Sequence, residues 1–154
     1  MSVIKDVEIF SDGACSCNPG PGGWGTILRY MGQEREICGG ERTTTNNRME
    51  LTAVIKGLNC LKERCRVKIY TDSQYVANGV NKGWAVNWKK NGWIKSDKKK
   101  AQNSDLWDEL LTALSKHDYE IIWLRGHSGH IENERCDTMA VAQSRLFANS
   151  TSDD

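Results

Sequence analysis

Asn47-Arg-Met-Glu-Leu-Thr-Ala-Val-Ile-Lys-Gly-Leu-Asn-Cys-Leu61, then Val67-Lys-Ile-Tyr-Thr71 and Asp72-Ser73, is the stretch that decides the fold. Leu51, Val54, Ile55, Leu58 and Leu61 recur at i, i+3, i+4 and i+7, the spacing of one helical face. Val67 to Thr71 is a short apolar strand, and Asp72-Ser73 can start a second helix through Val76 and Val80. Working towards the N-terminus, Asp6 to Asp12 alternates Val7, Ile9 and Ser11 against Glu8, Phe10 and Asp12, the period of a strand. Trp24 to Tyr30 and Glu34 to Cys38 read as two more strands around a turn at Met31-Gly32, giving an antiparallel meander. Between them Asn18-Pro-Gly-Pro-Gly-Gly23 reads as a breaker that turns the chain outside regular structure. Working towards the C-terminus, Leu106, Trp107, Leu110, Leu111 and Leu114 predict a helix, Glu120 to Leu124 a last strand, and Asn133 to Leu146 a closing helix. A meander followed by alternating helices and strands predicts an α/β domain, a mixed sheet covered by helices.

The chain has 154 residues, 38% hydrophobic and 27% charged, which suits one compact core. Residues 1–148 are expected to form a single unit, with a polar tail at 149–154 that frays. The net charge of +1 argues against a protein that works by bulk positive charge, so any polyanion contact is local. No apolar run approaches the roughly 20 residues of a membrane span, and Met1 to Phe10 does not read as an export signal. A cytoplasmic protein is therefore expected, with Cys15, Cys17, Cys38, Cys60, Cys65 and Cys136 as thiols. Zinc is the sharper alternative, through Cys15 and Cys17 or through His127, His130 and Cys136. Neither group has the paired short spacings of structural zinc sites.

Four carboxylates fall where a core would not place them. Asp12 ends the first strand, Glu50 lies in the first turn of the first helix, Asp72 ends the fourth strand, and Asp137 lies in the first turns of the last helix. Each has an ordinary role available. Glu50 and Asn47 can form a capping box, Asp72 can cap a helix, Asp12 before Gly13 can sit in a turn, and Asp137 can be a solvated charge. Ligands of open α/β sheets bind outside strand ends, and the first and fourth strands can lie side by side there. Carboxylates gathered at one point repel, which raises at least one pKa unless a cation neutralises them. An all-oxygen set suits Mg²⁺, with Mn²⁺ as a substitute, and two such ions about 4 Å apart can activate a water and stabilise a leaving oxygen on a phosphate.

The segments Ile9-Phe-Ser-Asp-Gly13, Asn18-Pro-Gly-Pro-Gly-Gly23, Thr44-Thr-Asn-Asn-Arg-Met-Glu-Leu51, Thr71-Asp-Ser-Gln-Tyr-Val76, Asn103-Ser-Asp-Leu-Trp107, and Gly126-His-Ser-Gly-His130 leading to Asp137 follow in order from about Val7 to about Ala142. Together they resemble bacterial ribonuclease HI, of the type 1 ribonuclease H family. The resemblance implies a ribonuclease H-like fold with a five-stranded mixed sheet flanked by helices. It also implies a metal-dependent endonuclease that cuts the RNA strand of an RNA–DNA hybrid, leaving 3′-hydroxyl and 5′-phosphate ends. Asp12, Glu50, Asp72 and Asp137 become its metal-binding catalytic carboxylates, and His127 its loop histidine, suited to moving a proton or aiding product release.

Between Trp84 and Lys100, Trp84, Trp88 and Trp93 are interleaved with Lys89, Lys90, Lys95, Lys98, Lys99 and Lys100. Lysines can meet phosphates and indoles can lie on sugars or bases, so the segment reads as a nucleic-acid handle, against an alternative of buried tryptophans and solvated lysines. In the family it matches a basic protrusion, with Trp84 and Trp88 lining the DNA strand. By the same resemblance Asn18, Asn46 and Gln74 match minor-groove contacts, where amides suit the 2′-hydroxyl. Thr45 and Asn47 match positions near a DNA phosphate pocket that Asn103 closes. Capping, turn formation and an exposed helix face are the ordinary roles for these six. Two features depart from the family: Thr43 stands where an arginine is frequent, with Arg42 beside it, and one extra residue lies around Asn81-Lys82-Gly83. A hybrid-binding module without catalysis, or a related DNA strand-cutting enzyme, are the alternatives. The four carboxylates argue against the first, and the short chain, with no room for an additional DNA-binding domain, against the second. No obligate protein partner is expected, and a monomer suffices.

Overall fold

The computed structural model describes residues 4–126 and 129–149. Its elements are β1 (Lys5–Cys15), β2 (Gly20–Tyr30), β3 (Gln33–Thr44), α1 (Asn46–Asn59), β4 (Cys65–Thr71), α2 (Gln74–Asn81), α3 (Trp84–Lys90), α4 (Ser104–Leu114), β5 (Asp118–Trp123) and α5 (Ile131–Asn149). They form one five-stranded sheet in the order β3-β2-β1-β4-β5. The β1–β2 and β2–β3 pairs are antiparallel, and the β1–β4 and β4–β5 pairs are parallel. Met31 and Gly32 make the β2–β3 turn with φ of 50° and 77°, the positive pair that a two-residue hairpin favours.

The main core lies between the sheet and α1, α2 and α4. Ile9, Val67 and Ile69 face Leu51, Val54, Leu58, Val76 and Leu110 there. A second helix layer, α5, covers the opposite face of β1, β2 and β3, with Cys136 against Phe10 and Ile27. Its N-terminal end is tied down ionically. Arg29 donates to Glu34 at 2.6 Å and Glu132 at 2.7 Å, and Arg135 donates to Glu34 at 3.0 Å and Glu36 at 2.6 Å.

The glycine-rich segment corrects the sequence reading. Gly20 to Gly23 belong to β2, where Gly23 pairs with Ala14 on one side and Gly40 on the other, and the register shifts between Gly20 and Gly22. At Gly23, and at Gly25 beyond it, the reason is the close approach of α5. A Cβ at Gly23 would stand 2.2 Å from the Ala140 carbonyl, and one at Gly25 would stand 2.6 Å from the Cys136 carbonyl. These glycines are where a helix backbone rests on a strand. The closing helix is also longer than Asn133 to Leu146 and takes in Asn149, the first residue of the expected tail; residues 150–154 lie outside the described residues.

Gly23→Ala should therefore destabilise the protein by at least about 2 kcal/mol, since backbone, not a flexible side chain, meets the new methyl group. Gly32→Ala, with nothing near its Cβ, should cost only about 1 kcal/mol through its positive φ. Urea unfolding of the two variants checks the difference, and equal losses would contradict it.

Candidate active site

Asp12 lies inside β1 rather than at its end, opposite Gly25, and its neighbour Ser11 pairs with Thr71 of β4. Asp72, the residue after β4, is thereby carried alongside it. Helix α1 reaches the same point because Gly13 has no side chain: a Cβ there would stand 2.6 Å from the Glu50 amide. Asp12-Gly13 is thus a helix-docking point within a strand, and the turn role is excluded.

The capping readings change too. The cap of α1 is Thr45, whose Oγ1 accepts from the Arg48 N–H at 3.3 Å, and Glu50 falls in the second turn. Ser73 caps α2 by accepting from the Val76 N–H at 3.1 Å, a role Asp72 does not take. Freed from capping, Glu50 turns inward, 4% exposed beside an equally buried Asp12.

Ligand-capable oxygens of Asp12, Glu50 and Asp72 all lie within 4.8 Å of one another. They open on a crevice of about 370 Å³ that Asp137, from α5, also lines, with Asn46, Asn47, Gln74 and Tyr75 at its rim. Grooves elsewhere are larger, up to about 620 Å³, and lack the carboxylate cluster. The acidic cluster found among the described residues contains neither cysteine nor histidine, and the zinc alternative through His127 lies outside the described residues.

Electrostatics show what the cluster lacks. Burial first, then the charge of Asp72, push the Asp12 carboxyl up to about 8, with Asp137 adding and the hydrogen bonds from Glu50 and Gly13 opposing. Burial, then Asp12 and Asp72, hold Glu50 well above the usual carboxylate range. Its Oε2 is buried with no hydrogen-bond partner among the described residues. An orphaned buried oxygen among like charges is what a divalent cation would satisfy, so the residues present fit a metal.

Asn18 and Asn46 meet at the crevice edge, where the Asn46 N–H donates to Asn18 Oδ1 at 3.0 Å. Gln74 opens α2 and is exposed, as its ordinary reading also foresees. Asn103 Oδ1 accepts from Arg48 Nη1 at 3.2 Å, which brings Asn103 to the N-terminal part of α1 near Thr45 and Asn47. The handle departs from its reading in part. Trp88 packs edge-on against Trp107 at 6.0 Å between centroids, and Lys89 pairs with Asp108 at 2.8 Å. Trp84 is 41% exposed, with Lys82 Nζ 5.5 Å over its ring, and Lys90 is exposed. His127 lies outside the described residues.

Two contributors escaped the sequence reading. The Trp123 indole donates to the Asp72 carbonyl at 3.1 Å, and the Leu124 N–H to the Thr71 carbonyl at 2.7 Å, so the end of β5 braces Asp72. Strand alternation alone gave no reason to single out Trp123. Arg48 is the other, gripping Asp105 through two hydrogen bonds of 3.0 and 2.8 Å.

A model of the RNase H family matches residues 4–145. The chain is 52% identical over 142 residues to a ribonuclease H of Desulforamulus reducens, covering 92% of this chain and 89% of that one. It is 56% identical over 140 residues to one from Nitratidesulfovibrio vulgaris, covering 91% and 90%. Among solved structures, LC9-RNase H1, described as a type 1 RNase H with the type 2 active-site motif, superposes with a TM-score of 0.84 at 32% identity over 95% of this chain and 75% of that one. Carboxylates gathered beside a parallel strand pair suit the class of metal-dependent nucleases. Within it, this chain belongs to the ribonuclease H family.

Because Asp12 and Glu50 hold protons in the folded protein above their unfolded value near 4, the folded state binds more protons than the unfolded one from about pH 4 to 8. Metal-free stability from these groups is thus greatest at low pH and falls as pH rises through that window. Asp12→Asn in EDTA should gain little over the parent at pH 4 and about 1–2 kcal/mol at pH 8 by urea unfolding. A gain independent of pH would refute the electrostatic account.

Proposed function

We propose that this chain hydrolyses the RNA strand of RNA–DNA hybrids with Mg²⁺ as its resident ion. The observation that carries the reading is the Asp12, Glu50 and Asp72 cluster with its unpartnered Glu50 oxygen. Asp12, Glu50, Asp72 and Asp137 would hold the metal. When bound, divalent ions lower the pKa of a water and stabilise the departing 3′-oxygen at a phosphate, leaving 3′-hydroxyl and 5′-phosphate ends. Mn²⁺ offers the same hard-cation chemistry.

The chain's own groups bind and orient the substrate. Asn18, Asn46 and Gln74 bring amides to the crevice rim, where they can meet the 2′-hydroxyls that mark the RNA strand. Thr45, Asn47 and Asn103 face the path of the DNA backbone, and Trp84, Trp88, Lys89 and Lys90 extend the contact along it. Trp88 and Lys89 act there through support, since one packs on Trp107 and the other is ion-paired. His127 is assigned proton movement or product release. A foamy viral protease–reverse transcriptase that shares the fold was solved in complex with an RNA/DNA hybrid, and a nucleic-acid substrate is in keeping with that.

Residues 1–148 serve as the catalytic unit and 149–154 as a tail without a catalytic part. All four carboxylates come from one chain, which supports a monomer without an obligate protein partner. No helix among the described residues is long and apolar enough to cross a membrane. Six free thiols suit the reducing cytoplasm, where we place the protein.

Purified protein with a labelled RNA–DNA hybrid, duplex DNA and duplex RNA, in Mg²⁺ or EDTA, tests the assignment. Only the hybrid should be cut, only with metal, and Asp12→Asn or Asp72→Asn should lower kcat by at least about a thousandfold while remaining folded. Cleavage that survives EDTA, or cutting of duplex DNA at a comparable rate, would overturn it. For the handle, Trp84→Ala combined with Lys90→Ala should raise KM several-fold and flatten its dependence on salt; an unaltered KM returns the segment to packing and solvation alone.

A further inference from the structure

A chain of hydrogen bonds with forced polarity runs from α1 to Tyr75, a residue that lines the carboxylate crevice. Arginine can only donate, so Arg48 Nη1, 3.2 Å from Asn103 Oδ1, fixes which end of the Asn103 amide faces it. The Asn103 Nδ2 must then face the other way, and it donates to the Tyr75 hydroxyl at 3.1 Å. The Trp107 indole, also a pure donor, reaches the same oxygen at 2.9 Å. A phenolic oxygen accepts at most two hydrogen bonds, so both of its acceptor positions are filled. Its own proton has no acceptor among the described hydrogen bonds, and Tyr75 lines the crevice beside Asp72 and Gln74.

The ring is held as firmly as its oxygen. Tyr75 lies 5.2 Å from Trp107 between centroids at a tilt of 52°, and Trp107 is fully buried. Arg48 is itself fixed by its paired bonds to Asp105. The hydroxyl is therefore a preorganised donor, its acceptor function used up, on a residue that lines a site whose other prominent groups are carboxylates. Such a donor cannot usefully meet another donor, which excludes amino groups and metal-bound water as its partner; it suits an anionic oxygen.

Resting on the reading of this chain as a hybrid-cutting nuclease, we propose that the Tyr75 hydroxyl is a further substrate-binding group, donating to a non-bridging phosphate oxygen of the bound nucleic acid. Arg48, Asn103 and Trp107 act as positioning residues that orient it. The contact is made in the bound and reacting complexes alike, so its loss falls on KM.

Tyr75→Phe keeps the ring on Trp107 and removes the donor. Its KM for the hybrid should rise about five- to tenfold, with most of the loss in KM rather than kcat. A scan of hybrids carrying one neutral methylphosphonate linkage at a time then separates contact from structure. At one linkage the parent should lose the same factor and the difference between parent and Tyr75→Phe should vanish; a purely structural role would keep that difference at every linkage and overturn the proposal. If the variant proves too unstable to assay, 3-fluorotyrosine placed at position 75 should shift its ¹⁹F resonance on addition of hybrid without metal, and fail to shift with the critical methylphosphonate. An identical shift with both hybrids would also overturn it. Failure of the parent to cut any hybrid would instead reject the nuclease reading, and the two failures remain distinct.

Discussion

Like charges forced together in a buried place are the constraint around which this molecule is arranged. Asp12 and Glu50 sit at the meeting of a strand and a helix whose backbones touch through Gly13, and Asp72 arrives by the parallel pairing of β1 with β4. Among the described residues no cationic side chain is a main cause of the raised Asp12 or Glu50 pKa. The fold thus carries an electrostatic cost that its apolar core must outweigh. A divalent cation would turn that cost into binding energy, which is the sense in which a strained site can be functional.

The surrounding architecture keeps this arrangement from relaxing. The carboxylates come from both faces of the sheet and from its interior: Glu50 from α1 on one side, Asp137 from α5 on the other, Asp12 from the strand between. Trp123 braces the Asp72 backbone from β5. For the buried pair Asp12 and Glu50, relief of repulsion by outward movement would therefore require separating strand from helix, not merely turning a side chain.

Much of this was legible in the amino-acid order. The change from period two to the helical spacing of Leu51, Val54, Ile55 and Leu58 marks the switch from meander to α/β, and Asp12, Glu50, Asp72 and Asp137 stand out because an ordinary core would not place acids at those points. What escaped is tertiary in origin. Gly20 to Gly23 look like a breaker until the strand is seen passing under α5 at Gly23, because local propensity cannot report a helix arriving from the far end of the chain. Thr45 and Asn47 are both good caps, and only the docking of Glu50 selects the first. Trp88 reads like Trp84 in sequence, yet α3 is too short for its spacing to reveal which face meets Trp107. The Tyr75 hydrogen bonds join three separate segments and leave no local signature.

The glycine seam beneath α5 has a consequence for how the chain tolerates length changes. With no side chains under Ala140 and Cys136, the helix lies flush on β2, and its ion-paired end fixes its rotation. Each residue turns an α-helix by about 100°. A one-residue insertion between Glu132 and Asp137 would swing Asp137 away from the crevice and wheel bulkier side chains onto the glycines. Added turns beyond Asn149 would alter neither. The helix is constrained in phase, not in extent.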